Sequence, residues 1–451
     1  MPRLFGTDGV RGVANTELSA ELALGLGRAA AKALGAGGSA ERPRVLTVRD
    51  PRVSGDLLEA ALCAGLLSGG ADVIRCGILP TPAAAFLVTN LGTQGAAVIS
   101  GSHNPAADNG IKFFGHDGFK LSDAEEDRIE SLLWDPGPGL TGDGVGRVRV
   151  LEDAEERYLA HVARALDGGT LEGLKVVLDC AHGAAFRTSP MALRRAGAEV
   201  IAINVVPDGM NINVGCGSTV PELLAQATIE HRADVGLAHD GDADRLIAVD
   251  ETGKVADGDA ILGALALDLK EQGRLAGDLV VTTVMANLGF KRAMATSGIG
   301  VIETPVGDRY VIEAMRAHRA VIGGEQSGHV IFSEYSTTGD GLLTGLRLLG
   351  RMVSSGKALS ELTAVIERFP QVLINIATPD REHVPEAASV RHAVEEARRL
   401  LGDRGRVLVR PSGTEPLVRV MVEASKEATA RLIAEEIAAV VRDALGGGES
   451  P

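Results

Sequence analysis

The sequence predicts an α/β protein: three similar α/β domains with mixed, mostly parallel sheets, followed by a C-terminal α+β domain. Three observations point there. Short apolar runs alternate with Ala- and Leu-rich stretches of helical length, the signature of βαβ units. The alternation recurs in three successive regions of the chain. Past Pro370 it gives way to three strand-like runs and a long amphipathic helix. At 451 residues the chain is also too long for one core, so two to four domains are expected.

Taken in order, a first helix follows a Ser19 cap and closes at the loop Gly35–Arg42. The first domain, 1–155, has strands at Arg44–Val48, Asp72–Cys76 and Ala96–Ile99. The second, 156–258, has them at Lys175–Asp179, Glu199–Asn204, Val235–Ala238 and Leu246–Asp250. The third, 259–369, has them at Leu279–Val284, Val301–Glu303 and Ala320–Ile322. The fourth, 370–451, places strands at Gln371–Ala377, Leu408–Arg410 and Leu417–Glu423. A helix over Lys426–Leu445 follows, with Ile433, Ile437, Val440, Val441 and Ala444 on one face. The tail Gly446–Pro451 is expected to be disordered.

Composition narrows the function classes. Hydrophobic residues make up 45% and charged residues 23%, ordinary for a soluble globular protein. The net charge is −15 with no Lys/Arg cluster, which argues against nucleic acid as a partner. A locally basic pocket for an anionic substrate stays compatible with that charge. Neither a membrane-spanning apolar run nor the apolar core of a signal peptide is found, so a cytoplasmic protein without a membrane partner is expected. Cys63, Cys76, Cys180 and Cys216 form no CxxC pair and read as reduced, mostly buried thiols. Gly25-Leu26-Gly27-Arg28-Ala29-Ala30 loosely matches a dinucleotide fingerprint, but it lies inside a helix and does not open one after a strand. That context argues against NAD binding.

The most informative stretch is VISGSHNPAADNGIKFFGHD, 98–117. A β-branched approach runs into a Gly/Asn/Pro turn that holds Ser102 rigid and exposed, as a reactive hydroxyl requires, with His103 beside it as a candidate proton carrier. The hydrolase elbow GxSxG is absent, since position 100 is Ser where Gly is required.

Asp240, Asp242 and Asp244 alternate in HDGDADRLIAVDE, after the strand-like run Val235–Ala238. Three carboxylates this close are tolerable only if they are solvated or a cation neutralises them. Oxygen ligands in a compact site favour Mg²⁺ over zinc. An EF-hand loop would start at Asp240 and end at Glu251, but Arg245 stands where its turn demands Gly, and both flanks read as strands. A solvated acidic turn stays open as the plain alternative. Arg245 itself could hold a carboxylate or contact a phosphate.

Arg410 and Arg419 bracket Ser412-Gly413-Thr414 in RPSGTEPLVRV, a phosphate cradle or an ordinary strand–turn–strand. In GGEQSGHV, Glu325 and Ser327 could fix vicinal hydroxyls and His329 could shuttle a proton, although a lone histidine is more often structural. FGTDGVRG contributes Arg11, and VRDPRVSG contributes Asp50, Arg52 and Ser54; each is an anion-facing loop or a structural turn. A metal triad and a phosphate cradle in one chain favour phosphoryl transfer, so Ser102 reads as a phosphate carrier.

The ordered set TDGVRG, SGSHNPAADNGIKFF, DGDADR, GEQSGH and RPSGTEP resembles the α-D-phosphohexomutase superfamily over nearly the whole chain. PDGMNINVGCGST, TVMANLGF, TPVGDRYV and GDGLLTGL resemble its phosphoglucosamine mutase branch, with Val220 departing from the histidine often found there.

The resemblance implies four domains around a central cleft. Ser102 would be the phosphoserine, and Asp240, Asp242 and Asp244 would bind Mg²⁺ together with a Ser102 phosphoryl oxygen. Glu325 and Ser327 would hold sugar hydroxyls, and Arg410, Ser412, Gly413, Thr414 and Arg419 the non-reacting phosphate. Arg11, His103, Lys112, Arg245 and His329 would surround the transferring group, with Lys112 or His329 as general acid/base.

The implied reaction interconverts glucosamine 6-phosphate and glucosamine 1-phosphate through a glucosamine 1,6-bisphosphate intermediate, feeding amino-sugar nucleotide and cell-wall precursor synthesis. A small sugar phosphate is the implied partner, and a homodimer the implied assembly. The alternatives are a phosphoglucomutase/phosphomannomutase, or a non-enzymatic sugar-phosphate or Ca²⁺ binding protein. The last gives Ser102 no purpose.

Overall fold

The computed structural model describes residues 3–6, 8–35, 42–134, 139–378, 380–381, 383–412 and 416–446. The chain forms two compact units: Met1–Met285 with Ile299–Val365, and Ala286–Gly298 with the chain from Ile366 onward.

The first sheet is built from β1 (Val10–Val13), β2 (Arg44–Arg49), β3 (Asp72–Ile78), β4 (Gly95–Ile99), β5 (Asp108–Gly115) and β6 (Val148–Val150), in the order β1-β5-β4-β2-β3-β6. β4, β2, β3 and β6 run parallel, while β5 and β1 are antiparallel additions at one edge. Helices α1 (Ala20–Gly35), α2 (Ser54–Ser68), α3 (Thr81–Leu91) and α4 (Asp123–Trp134) belong to this region. The Ser19 hydroxyl caps α1 by accepting from Leu22 N at 3.2 Å.

Gly27 of the false fingerprint is a packing device, as is Gly65 of α2 opposite it. A Cβ on Gly27 would stand 2.3 Å from the Leu62 carbonyl, and one on Gly65 2.0 Å from that of Leu24, so α1 and α2 touch backbone to backbone.

The second region contains α5 (Ala154–Val162), β7 (Lys175–Asp179), α6 (Thr188–Arg195), β8 (Glu199–Ile203), α7 (Glu222–Glu230), β9 (Val235–His239), β10 (Leu246–Asp250) and β11 (Val255–Ala256). Its sheet order is β11-β10-β9-β7-β8; β8, β7 and β9 are parallel, and β9 turns back antiparallel into β10. The third contains α8 (Gly258–Glu271), β12 (Leu279–Thr283), α9 (Leu288–Thr296), β13 (Gly300–Thr304), α10 (Asp308–His318), β14 (Ile322–Gly324), β15 (Val330–Phe332), α11 (Gly341–Ser355) and α12 (Leu359–Thr363). Its sheet order is β13-β12-β14-β15, parallel except for the β14–β15 hairpin.

Helix α9 lies in the second unit. That unit also holds β16 (Gln371–Ala377), α13 (Ala388–Leu401), β17 (Gly405–Pro411), β18 (Leu417–Ala424) and α14 (Glu427–Gly446), with an antiparallel sheet in the order β16-β18-β17. Ile433, Ile437 and Val441 of α14 are buried in its core.

Every strand anticipated from the sequence is present; Lys175–Asp179, Leu246–Asp250 and Gln371–Ala377 keep their bounds, and the others have shifted ends. The run placed at Ala320–Ile322 pairs instead at Ile322–Gly324, because hydrogen bonding to Val281 and Thr282 carries the strand into two glycines that propensity disfavours. β5 was not anticipated as a strand. It is buried almost throughout, so it lacks the alternation that marks a half-exposed strand. All four cysteines are free and buried. Most of the loop Gly35–Arg42 and the tail beyond Gly446 lie outside the described residues.

Candidate phosphoryl-transfer site

Three sheet ends build the site within the first unit. β4 leads to Ser102, the β9–β10 connection carries the three aspartates, and the β14–β15 hairpin presents Glu325 to His329. Leu246 N donates to Gly328 O at 3.0 Å, tying the hairpin to the aspartate loop. Gly328 has φ +94°, and a Cβ there would stand 2.2 Å from Leu246 O, so only glycine allows this approach.

Ser102 is 2% exposed, which corrects the expectation of an exposed hydroxyl. The turn does hold it rigidly, at φ +50°, but the aspartate loop covers it. Its hydroxyl donates to Asp240 Oδ2 at 2.8 Å, and His103 Nδ1 lies 3.4 Å from Oγ.

Asp240, Asp242 and Asp244 are 1%, 1% and 5% exposed, which overturns the solvated-turn alternative. Their ligand oxygens lie within 4.8 Å of one another. Burial, then Asp244 and Asp242, push the Asp240 carboxyl well above its ordinary range. Burial raises Asp242 too, but Lys112 and the Thr81 hydroxyl outweigh it, and its pKa falls. Lys112 Nζ donates to Asp242 Oδ2 at 2.8 Å and Thr81 Oγ1 to the same oxygen at 2.6 Å. Burial works against the Lys112 ammonium, but Asp242 and Asp8 raise its pKa and keep it charged.

Asp242 Oδ1 and Asp244 Oδ1 are buried with no hydrogen-bond partner among the described residues. Orphaned carboxylate oxygens in a convergent, all-oxygen cluster fit a hard divalent cation such as Mg²⁺.

Around the triad sit the other predicted residues of this unit. Arg11 pairs with Asp8, and Arg245 Nε lies 3.8 Å from Asp244. Burial, then Arg245 and Arg11, lower the His103 pKa to about 4, so its ring is neutral at pH 7. His329 is buried, with Nδ1 3.7 Å from Asp244 and Nε2 3.6 Å from Asp308. Gly339 N donates to His329 Nε2 at 2.9 Å, which puts the proton of a neutral ring on Nδ1. Glu325 is half-buried and accepts from Gly307 N at 3.2 Å, while Ser327 is exposed on the hairpin turn. Arg52 does not face an anion: it is fully buried and points into the Ser102 turn.

In the second unit, Arg410 and Arg419 stand directly opposite each other in the β17–β18 ladder. Burial and then the Arg419 charge lower the Arg410 pKa. Arg410 Nε is buried without a hydrogen-bond partner among the described residues. Paired like charges across a ladder are costly, and an anion would relieve them. Ser412 is buried and donates its N–H to Leu417 O at 2.9 Å. Gly413 and Thr414 lie outside the described residues.

Sequence reasoning passed over Thr81, Asp8, Lys120 and Asp308. Lys120 pairs with Asp8, and with Asp308 at 2.6 Å, so these charges link Arg11 to His329. Asp8 and Asp308 stand inside motifs already singled out, TDGVRG and TPVGDRYV. Thr81, between Pro80 and Pro82, opens α3, which was its one visible signal.

A buried serine against a carboxylate triad, ringed by Lys and Arg, is the constellation of an enzyme that moves phosphoryl groups. Family models for the phosphoglucomutase/phosphomannomutase domains match in chain order: α/β/α domain I over 2–136, domain II over 156–253, domain III over 257–369 and the C-terminal domain over 373–440. The chain belongs to the phosphoglucomutase/phosphomannomutase family and is an enzyme of the isomerase class.

The phosphoglucosamine mutase of Streptomyces coelicolor is 55% identical over 453 residues, covering 99% of this chain and 100% of the relative. A phosphoglucomutase/phosphomannomutase family protein from Burkholderia thailandensis superposes with TM-score 0.82 at 25% identity, covering 99% of this chain and 98% of that one. Aspergillus fumigatus N-acetylphosphoglucosamine mutase, solved in complex with GlcNAc-6P and magnesium, shares the fold with TM-score 0.70 at 20% identity, covering 98% and 96%. Among the described residues, no helix is long and apolar enough to cross a membrane.

Proposed function

We propose that this enzyme interconverts glucosamine 6-phosphate and glucosamine 1-phosphate through phospho-Ser102 and glucosamine 1,6-bisphosphate. One observation carries the mechanism: the Ser102 hydroxyl is seated 2.8 Å from Asp240 inside the buried triad. The 55% identity to a phosphoglucosamine mutase supports the choice of sugar.

The C1 hydroxyl oxygen of glucosamine 6-phosphate attacks phospho-Ser102. An O1–P bond forms as the P–Oγ bond breaks, the O1 proton passes to a base, and Oγ takes up a proton. The bisphosphate turns over and Oγ attacks the 6-phosphoryl group: an Oγ–P bond forms as the P–O6 bond breaks, the Oγ proton passes to a base, O6 takes up a proton, and glucosamine 1-phosphate leaves with Ser102 phosphorylated again.

Asp240, Asp242 and Asp244 would hold Mg²⁺, as the A. fumigatus enzyme binds magnesium. Bound there, the ion would neutralise charge on the phosphoryl oxygens. Lys112, Arg11 and Arg245 supply fixed positive charge, and His103, neutral, offers hydrogen bonding. Burial works against charge on both Lys112 and His329, but neighbouring carboxylates raise both pKa values, Asp242 and Asp8 for Lys112 and Asp244 and Asp308 for His329, and these two residues are the candidates for the proton transfer. Glu325 and Ser327 bind sugar hydroxyls, and Arg410, Ser412, Gly413, Thr414 and Arg419 take the non-reacting phosphate. The domain limits 1–155, 156–258, 259–369 and 370–451, a homodimer and a cytoplasmic setting belong to the same proposal.

The test is a coupled assay for glucosamine 1-phosphate on wild type and Ser102→Ala. Turnover that vanishes in the variant, with its melting temperature kept, is expected; full activity in the variant would sink the mechanism. A larger kcat/KM for glucose or mannose phosphates would make it a phosphoglucomutase/phosphomannomutase instead.

A further inference from the structure

Arg52 is fully buried, and all five of its guanidinium N–H groups are used inside the protein. Nε donates to Asp50 Oδ2 at 2.9 Å. Nη1 donates to the Asp108 carbonyl at 3.0 Å and to the Pro105 carbonyl. Nη2 donates to the carbonyls of Ser102 at 2.9 Å and Asn104 at 2.8 Å. One side chain therefore collects four carbonyls of the turn that carries the reactive serine.

The other side of the turn is held through Asp50. Its Oδ2 accepts from Ser100 Oγ at 2.6 Å, and Ser100 Oγ accepts from Ser102 N at 2.9 Å. Asn213, in the loop between β8 and α7, donates to the same two carbonyls, Ser102 at 2.8 Å and Asn104 at 3.1 Å. The guanidinium lies flat against Gly101, where a Cβ would stand 2.9 Å from Cζ. Both backbone groups of Ser102 are thus clamped while the residue sits at φ +50°, a conformation a serine does not keep unaided.

We infer that Arg52, acting with Asp50 and Asn213, is a positioning residue that fixes Ser102 Oγ against Asp240 through both half-reactions. The inference rests on the phosphoserine mechanism above. Phosphoryl transfer depends mainly on placement, and a displacement of about 1 Å costs roughly a hundredfold in rate. The clamp touches no residue assigned to the sugar or its distal phosphate, so the loss falls on kcat and leaves KM alone. Lysine cannot replace the five-donor fork.

The test measures kcat and KM for glucosamine 6-phosphate, with melting temperature, for wild type, Arg52→Lys and Asn213→Ala. In Arg52→Lys we expect kcat to fall roughly ten- to a hundredfold with KM within twofold, and in Asn213→Ala a smaller fall with the same split. Asn213→Ala decides the matter if Arg52→Lys does not fold. Wild-type kcat in a folded variant, or a loss carried by KM, overturns the clamp. An inactive wild type overturns the mutase reaction instead, so the two failures are distinguishable.

Discussion

Gly241 and Ser102 meet backbone to backbone: a Cβ on Gly241 would stand 2.4 Å from the Ser102 carbonyl oxygen and 2.9 Å from Asn213 Nδ2. The loop bearing the aspartates and the turn bearing the serine are therefore seated on one another. No side chain separates them, and the 2.8 Å hydroxyl–carboxylate bond follows from that contact.

Gly241→Ala must push these loops apart. Overpacking of this kind costs about 1–3 kcal/mol, which calorimetry would register. We expect a larger effect on chemistry, a fall of roughly a hundredfold in kcat, because the serine moves away from the triad. An alanine variant with native kcat would show that the contact is not needed.

Lys112 occupies Asp242 Oδ2, which a cation would also seek. Lys112→Gln removes one positive charge beside the triad, so we expect Mg²⁺ to bind roughly tenfold more tightly by titration calorimetry. Turnover should fall in the same variant, since the charge that stabilises the transferring group is lost. In wild type a chelator should stop turnover and added Mg²⁺ restore it.

Asp340, beside the aspartate loop, provides a pH signature of its own. It caps α11, accepting from Leu343 N at 2.9 Å, and both its oxygens accept from the Tyr158 hydroxyl at 3.0 Å. Burial, partly offset by these hydrogen bonds, raises its pKa from 3.8 to about 6. A carboxyl whose folded pKa is raised binds its proton more tightly in the native state. Its contribution to stability is therefore lost as pH rises from about 4 to about 6, worth roughly 3 kcal/mol. Asp340→Asn keeps a capping side chain without the charge. It should melt above wild type at pH 7 and match it near pH 4.

In the second unit, Asn287 binds α9 to the C-terminal sheet. Its Oδ1 accepts from Gly289 N and Phe369 N, both at 2.9 Å, and Nδ2 donates to Phe369 O at 3.0 Å and Glu423 at 3.2 Å. Glu423 is fully buried and paired with Arg406 at 2.7 Å. Asn287→Ala should cost roughly 2–3 kcal/mol, seen as faster hydrogen exchange in α9 and β18. Unchanged exchange there would mean the network is dispensable.

What was legible in the sequence was local. Asp240, Asp242 and Asp244 fall within one turn between two strands, and the Ser102 turn is spelled by Gly, Asn and Pro, so neither needed a partner to be seen. The βαβ alternation was legible because parallel strands are apolar throughout and their crossover helices have a set length. Asn287 was read only as part of a motif, because its partners Phe369 and Glu423 lie 82 and 136 residues away.

By itself, then, the sequence determined the α/β class, the strand and helix succession, and the residues able to do phosphoryl chemistry. Tertiary structure alone decided their states. It buried Ser102, set Lys112 on Asp242, turned Arg52 inward onto four carbonyls, and brought Asp8, Lys120 and Asp308 into line with His329. The reason is physical: a motif specifies which groups a segment carries, whereas burial, pKa and hydrogen-bond partner depend on the neighbours that distant segments supply.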